Sequence, residues 1–384
     1  MGVVPVPKLL FQMSLPMILS MLVQALYNVV DSIFVAQINE NALTAVSLVF
    51  PVQSLMISIA VGTGVGVNAV LSRSLGEKDA RMADESAKNG IFLAFVSCVV
   101  FAVLGVLLAK PFFHMQTADT QIREYGIQYM TIISALCIAV YMQVMFERLL
   151  QSTGRTFYTM ISQGLGAVIN IIFDPILIFG LLGFPKMGVA GAAAATVLGQ
   201  FCGMFLAMFF NIRFNKDIHI GMRNFRPSGR IIKVIYSVGV PSIIMQAIGS
   251  VMTFGMNKIL IQFTSTATAV FGVYFKLNSF IFMPVFGLNN GMVPIVAYNY
   301  GARDKKRITQ TIHISIISAV IIMLLGLALF MIFPAQLLGM FNASKDMLAI
   351  GVPALRIICL SFLFAGFCII VGSVFQALGN GVYS

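Results

Sequence analysis

Apolar residues run along this chain in ten blocks, separated by short segments that hold most of the charge. The blocks cover residues 9–36, 43–71, 89–110, 124–146, 157–182, 187–210, 231–262, 268–298, 309–333 and 347–374. An α-helix rises about 1.5 Å per residue, so roughly 20 residues cross the ~30 Å hydrocarbon layer of a bilayer. Each block is long enough. Continuous apolar runs predict spanning helices and not barrel strands. The fold class expected is an all-α polytopic membrane protein with ten spans.

The pattern also repeats. Shifted by 225 residues without a gap, Lys8 falls on Lys233, Pro16 on Pro241, Gly62 and Gly66 on Gly287 and Gly291, and Gly76 and Asp79 on Gly301 and Asp304. One register kept through loops and helices alike indicates duplication. Each unit has an even number of spans, six, so both copies enter from the same side as parallel pseudo-symmetric repeats. The domains expected are an N-terminal lobe at 1–210, a charged linker at 211–232 carrying Pro227, Ser228 and Gly229, and a C-terminal lobe at 233–384. The first copy runs on through 155–225, whereas the chain stops at Ser384. The reading is therefore ten of an expected twelve helices, in a C-terminally truncated chain.

Composition narrows the class. The chain has 384 residues, 59% hydrophobic and 10% charged, with a mean hydropathy of +0.95. Soluble domains carry about 25% charge, so a soluble protein is excluded. The net charge is +11, but the basic residues sit between apolar runs, which argues for membrane topology and against nucleic-acid binding. With the N-terminus inside, seventeen Lys and Arg fall in inner loops and four in outer loops. That bias predicts a cytoplasmic N-terminus. The N-terminus has no charged n-region or cleavage site, and it reads as an uncleaved first span. Five dispersed cysteines and three dispersed histidines suggest neither disulfides nor a metal centre. No P-loop, HExxH, GxSxG or dinucleotide fingerprint occurs, so neither an enzyme nor direct ATP use is expected.

Ionisable groups inside spans cost about 2.5–3.5 kcal/mol on insertion scales and are functional candidates by default. Asp31 ends a stripe of Gln24, Tyr27 and Asn28 on one helix face. Asp174 follows Asn170 by one turn and precedes Pro175, which leaves the Ile171 carbonyl without its usual donor. Counted from Lys8 and Arg155, the two acids lie roughly 35 and 28 Å from the inner anchors, and Thr196 lies roughly 13 Å in from the outer face. An oxygen-rich pocket for a proton or a hard cation such as Na⁺ is expected there. The plainer alternative is a set of satisfied polar side chains that only locks helix packing. Gln24, Tyr27, Asn28, Lys258 and Lys276 are candidates for a substrate cavity. For Lys258, Lys276 and Arg356, snorkelling toward an interface is the alternative. Glu147-Arg148 reads as an interfacial pair. Gly76-Glu77-Lys78-Asp79 and its copy Gly301-Ala302-Arg303-Asp304 read as helix stops followed by capped short helices.

Seven segments taken together carry a resemblance: SLPMILSMLVQALYNVVDSIFVAQ, SRSLGEKDARMA, ERLLQSTGRTF, GAVINIIFDPILIFG, GVAGAAAATVLGQ, GVPSIIMQAIGS and GMVPIVAYNYGARDKKR. In this order and spacing the chain resembles the multidrug and toxic compound extrusion (MATE) family, in its bacterial branch with Staphylococcus-type exporters. The resemblance implies two helical lobes of the MATE/flippase superfamily around a cavity, with alternating access. It implies antiport of H⁺ or Na⁺ against organic cations across the cytoplasmic membrane, with no further cofactor. The coupling residues it implies are Asp31, Asn170, Asp174 and Thr196. The partners expected are small organic cations and membrane lipids, with a monomeric chain and no nucleic acid. The alternatives are a flippase for lipid-linked oligosaccharides or peptidoglycan precursors, and a non-transporting truncated fragment.

Overall fold

The computed structural model describes residues 1–222, 225–260, 262–341 and 344–384, and for residues 40, 250, 253, 254, 257, 258, 265, 268 and 269 the backbone alone. Among the described residues the structure is helical: α1 (Val6–Ala36), α2 (Glu40–Gly76), α3 (Ala80–Gln116), α4 (Thr120–Ala135), α5 (Ile138–Ser152), α6 (Thr156–Phe179), α7 (Val189–Phe214), α8 (Gly229–Leu260), α9 (Ser265–Gly301), α10 (Lys305–Ile332), α11 (Pro334–Gly339), α12 (Lys345–Ile358) and α13 (Phe362–Ala377). Nine helical spans are long and apolar enough to cross a membrane, and the bent pair α4–α5 makes up to ten. The expected span at 124–146 is this pair, broken at residues 136 and 137 and bent by 45°. The expected last span is α12 and α13, joined by a 3₁₀ turn at Cys359–Ser361.

The outer surface is what a bilayer requires. Leu107, Leu325 and Phe364 are 68%, 63% and 75% exposed. Apolar side chains face outward where a water-soluble helix would carry charge. Three apolar clusters fill the inside. One lies in the first half around Leu71, Met145 and Leu149. One lies in the second half around Val296, Met323 and Phe362, and it takes in Leu9, Leu10 and Met13 of α1. The third holds the far end of the first half, around Val35, Phe113 and Ile178.

The 225-residue offset reappears in the helix caps. Asn39 caps α2 by accepting from the Ala42 N–H, and Thr264 caps α9 by accepting from Ala267. Asp79 accepts from Met82 at the start of α3, and Asp304 accepts from Arg307 at the start of α10. Asp119 and Ser344 cap α4 and α12 in the same way. Lys78 and Arg303, both one residue before their Asp, adopt φ of 59° and 58°. The helices after Gly76 and Gly301 are not short, however. α3 has 37 residues and α10 has 28. The apolar run that follows each cap is continuous, so nothing stops the helix once it is started.

The same symmetry closes the halves on each other at the end that carries the N-terminus. A Cβ on Gly62 would meet Ile243, and one on Gly287 would meet Ile18. Gly76 faces the carbonyl of Tyr298 and the N–H of Ala302. Its counterpart Gly301 faces the carbonyl of Arg73 and the N–H of Glu77. Small residues let helix backbones approach closely where lipid gives no hydrophobic drive. Arg73 stacks its guanidinium 5.1 Å over the Tyr300 ring across this seam. Arg307 ties α10 to the N-terminal strap by donating to the Met1 and Val4 carbonyls at 2.8 and 2.6 Å. Burial and the neighbouring guanidinium of Arg307 hold the Met1 amino group below its ordinary range.

Gly76→Ala and Gly301→Ala should each destabilise the purified chain by about 1–3 kcal/mol, because the added methyl meets main-chain atoms that cannot swing away. Gly272→Ala, with nothing within 4 Å, is the control. Melting curves in detergent check this. Unchanged curves for the first two variants would show that the seam is not closely packed.

Candidate ion and substrate site

The site begins with three helices that place polar groups on facing surfaces. α1 brings Gln24, Tyr27 and Asp31, α6 brings Asn170 and Asp174, and α7 brings Thr196. α6 carries Pro175 and still runs unbroken from Thr156 to Phe179. Close approach of α6 and α7 depends on Gly166 and Gly199, each of which faces the other's carbonyl.

Asp174 is fully buried and Asn170 is 3% exposed. The Asn170 amide nitrogen donates to Asp174 Oδ2 at 3.2 Å, and its oxygen accepts from the Thr196 N–H at 3.2 Å. The Thr196 hydroxyl donates to the Ala192 carbonyl at 3.0 Å. Asp31 comes from α1 to within hydrogen-bonding reach of Asp174. Its Oδ1 is buried and has no hydrogen-bond partner among the described residues. The four residues expected to share a pocket are therefore together. Two carboxyl groups this close repel unless a proton or a cation lies between them.

Beside this group lies a cavity of about 150 Å³. Gln24, Tyr27, Asn170 and Thr196 line it, while Asp31 and Asp174 are not among its lining residues. The other substrate-cavity candidates fall elsewhere. Asn28 is exposed, and its carbonyl accepts from Ser32. Lys276 and Arg356 are exposed and do not line the cavity, as snorkelling side chains would be placed. The Lys258 side chain lies outside the described residues.

The largest departure is at Glu147 and Arg148. An interfacial pair was expected there. Both are buried, 3% and 7% exposed, and both line the cavity. The bend between α4 and α5 tips α5 into the bundle and carries them with it. They do not form an ion pair with each other. Glu147 accepts from Gln143 Nε2 at 3.0 Å, Ser162 Oγ at 3.3 Å and Gln163 Nε2 at 2.6 Å. Gln163 in turn accepts from Ser20 of α1. Arg148 Nη1 donates to Gln151 at 2.9 Å and, across the halves, to Asn290 of α9 at 3.1 Å. The Arg148 stem lies against Gly64 of α2, where a Cβ would come within 2.7 Å. The sequence held one signal of this. Gln143, Glu147, Gln151 and Gln163 are polar residues at helical spacing inside or beside apolar blocks, a stripe that an interfacial pair leaves unexplained.

Comparison with known proteins follows the same lines. A sequence profile of the MatE family matches residues 16–176 and again 241–384, two segments whose starts are 225 residues apart. The multidrug export protein MepA of Staphylococcus haemolyticus is 25% identical over 376 residues, covering 97% of this chain and 82% of that protein. An FAD transporter of Shewanella oneidensis is 27% identical over 316 residues, covering 81% of this chain and 69% of that protein. A solved structure described as the outward-facing conformation of a multidrug resistance MATE family transporter superposes with a TM-score of 0.92 at 28% identity, over 98% of this chain and 83% of that one.

Arg148→Leu should destabilise the chain by about 1–3 kcal/mol, because the Gln151 and Asn290 oxygens lose a charged donor in a buried place. Adding Asn290→Leu should recover part of that loss. A double-mutant cycle on thermal unfolding in nanodiscs reads the coupling, and strict additivity would refute the contact.

Proposed function

Because this chain belongs to the MatE family, we propose that it is a cation-coupled antiporter that exports organic cations by alternating access. The coupling ion is H⁺ or Na⁺, the membrane is the cytoplasmic membrane, and the N-terminus faces the cytoplasm. The first half at 1–210 and the second half at 233–384 act as two lobes, with 211–232 as the linker between them.

The observation that carries this reading is the acid pair. Asp31 and Asp174 face each other inside the helical bundle, with Asn170 and Thr196 beside them and one Asp31 oxygen left without a donor. A group of carboxylate, amide and hydroxyl oxygens suits a proton or a hard cation. Such a site does work only if its occupant favours one arrangement of the lobes over another. With the N-terminus inside, the glycine seam and the Arg73–Tyr300 stack close the cytoplasmic side. An ion entering from outside neutralises the pair, α1 and α6 shift about Pro16 and Pro175, and the exported molecule is released outward. The ion then leaves to the cytoplasm as the lobes reverse. The relatives named as multidrug exporters support this direction of transport.

A flippase for pyrophosphate-linked lipids needs a cavity rich in cations. Among the described residues Arg148 is the only cation that lines this one, and it shares the space with Glu147.

Asp31→Asn and Asp174→Asn should each abolish ethidium efflux from cells that express the 384-residue chain, with unchanged amounts of protein in the membrane. Efflux at the unmodified rate in both variants would remove the acid pair from the mechanism.

A further inference from the structure

Among the described residues, two charged side chains line the cavity, Glu147 and Arg148. Arg148 turns its Nη1 to Gln151 and Asn290, and among the described residues no ion pair joins it to Glu147. The Glu147 carboxylate is held by neutral donors, the amides of Gln143 and Gln163 and the hydroxyl of Ser162. A carboxylate has about four acceptor sites. Three donors orient it and leave one site free, and none of them cancels its charge. Gln24, Gln200 and Tyr27 line the same cavity, so the surface around the acid is amide and aromatic. Aromatic faces and amide oxygens both suit an ammonium group.

From this geometry we propose that Glu147 anchors the positively charged head of the exported molecule, a protonated amine or a quaternary ammonium. This rests on the reading that the chain exports organic cations. The cavity has a volume of about 150 Å³. Drug-sized ligands need about 300–1,000 Å³. The subsite therefore takes the head alone, and the rest of the molecule extends beyond it. It is also distinct from the acid pair, because Asp31 and Asp174 are not among the residues that line the cavity. Ser162, which touches Glu147, and Asp174 are both on α6, twelve residues apart, or about 18 Å. Exported cation and coupling ion then occupy different places and communicate through one helix.

The test is binding to the purified chain in nanodiscs, read by ethidium fluorescence. Glu147→Gln should weaken ethidium binding about ten- to a hundredfold, the loss of one charge-assisted contact. Glu147→Asp should restore part of it. Unchanged affinity in Glu147→Gln overturns the proposal. If that variant does not fold, competition on the unmodified chain decides. Choline should displace ethidium, and its neutral carbon isostere 3,3-dimethylbutan-1-ol should not. Displacement by both or by neither overturns the proposal. If Asp31→Asn abolishes efflux while Glu147→Gln binds ethidium normally, only the present inference falls. If the unmodified chain binds no ethidium, the export reading falls with it.

Discussion

A charge buried among lipid-facing helices must be compensated by the protein itself, because no water is available to do it. The described spans hold three such acids, Asp31, Asp174 and Glu147, and the base Arg148. None is joined to another by an ion pair. Each is instead met by neutral hydrogen-bonding groups or by another acid. That choice explains much of the surrounding sequence. Gln143, Gln163, Ser162, Asn170 and Thr196 are polar residues in the middle of apolar helices, and each makes a hydrogen bond within these groups. Gly166, Gly199 and Gly203 bring α6 and α7 close enough for those bonds to form. Had the acids been paired with lysine or arginine, the charge would be cancelled in place. Held by neutral donors, they remain available to a cation that comes and goes.

The duplication shows which parts of the unit are scaffold and which are chemistry. Caps, left-handed turns and seam glycines recur at an offset of 225. The charges do not. The positions matching Asp31, Glu147 and Arg148 in the second half are Met256, Gly372 and Ser373. Among the described residues the buried ionisable groups lie in the first half, and the second supplies a matching frame and the amide of Asn290 that holds Arg148. On the proposed antiport reading, symmetry of shape with asymmetry of charge suits two lobes that rock against each other while one of them senses an ion.

Much of this was legible in the sequence, for identifiable reasons. Span number follows from apolar run length, and the repeat follows from a constant offset. The grouping of Asp31, Asn170, Asp174 and Thr196 follows from helix spacing together with depth. The bend at residues 136 and 137 was not legible, because Leu136 and Cys137 are apolar and continue the run. That single miss displaced Glu147 and Arg148. Depth counted along a straight helix puts them at an interface, whereas a helix tipped by 45° carries them under the bundle. Lys276 and Arg356 failed in the opposite direction. A basic residue within a span is marked by the sequence, but its helix face is set by packing, and both face outward.

The placement of the acids bears on how ion and exported molecule are exchanged. If both cations bound the same carboxylate, each would expel the other by competition, and the ratio of ion to substrate would be fixed by shared charge. Here Ser162, which touches Glu147, and Asp174 of the acid pair lie twelve residues apart on α6, about 18 Å along the helix. At that distance direct repulsion across the Debye length of ~8 Å is weak on the solvent side, and only the low-dielectric path through the bundle remains. A mechanical link is the stronger one. α6 touches Glu147 through Ser162 and Gln163 and touches the acid pair through Asn170 and Asp174, while α1 reaches the Glu147 donor Gln163 through Ser20 and supplies Asp31 of the pair. A shift of either helix that relieves the acid pair must also disturb the donors around Glu147. Coupling of this kind requires that both sites favour different positions of the same two helices, and α1 and α6 are the two that reach both.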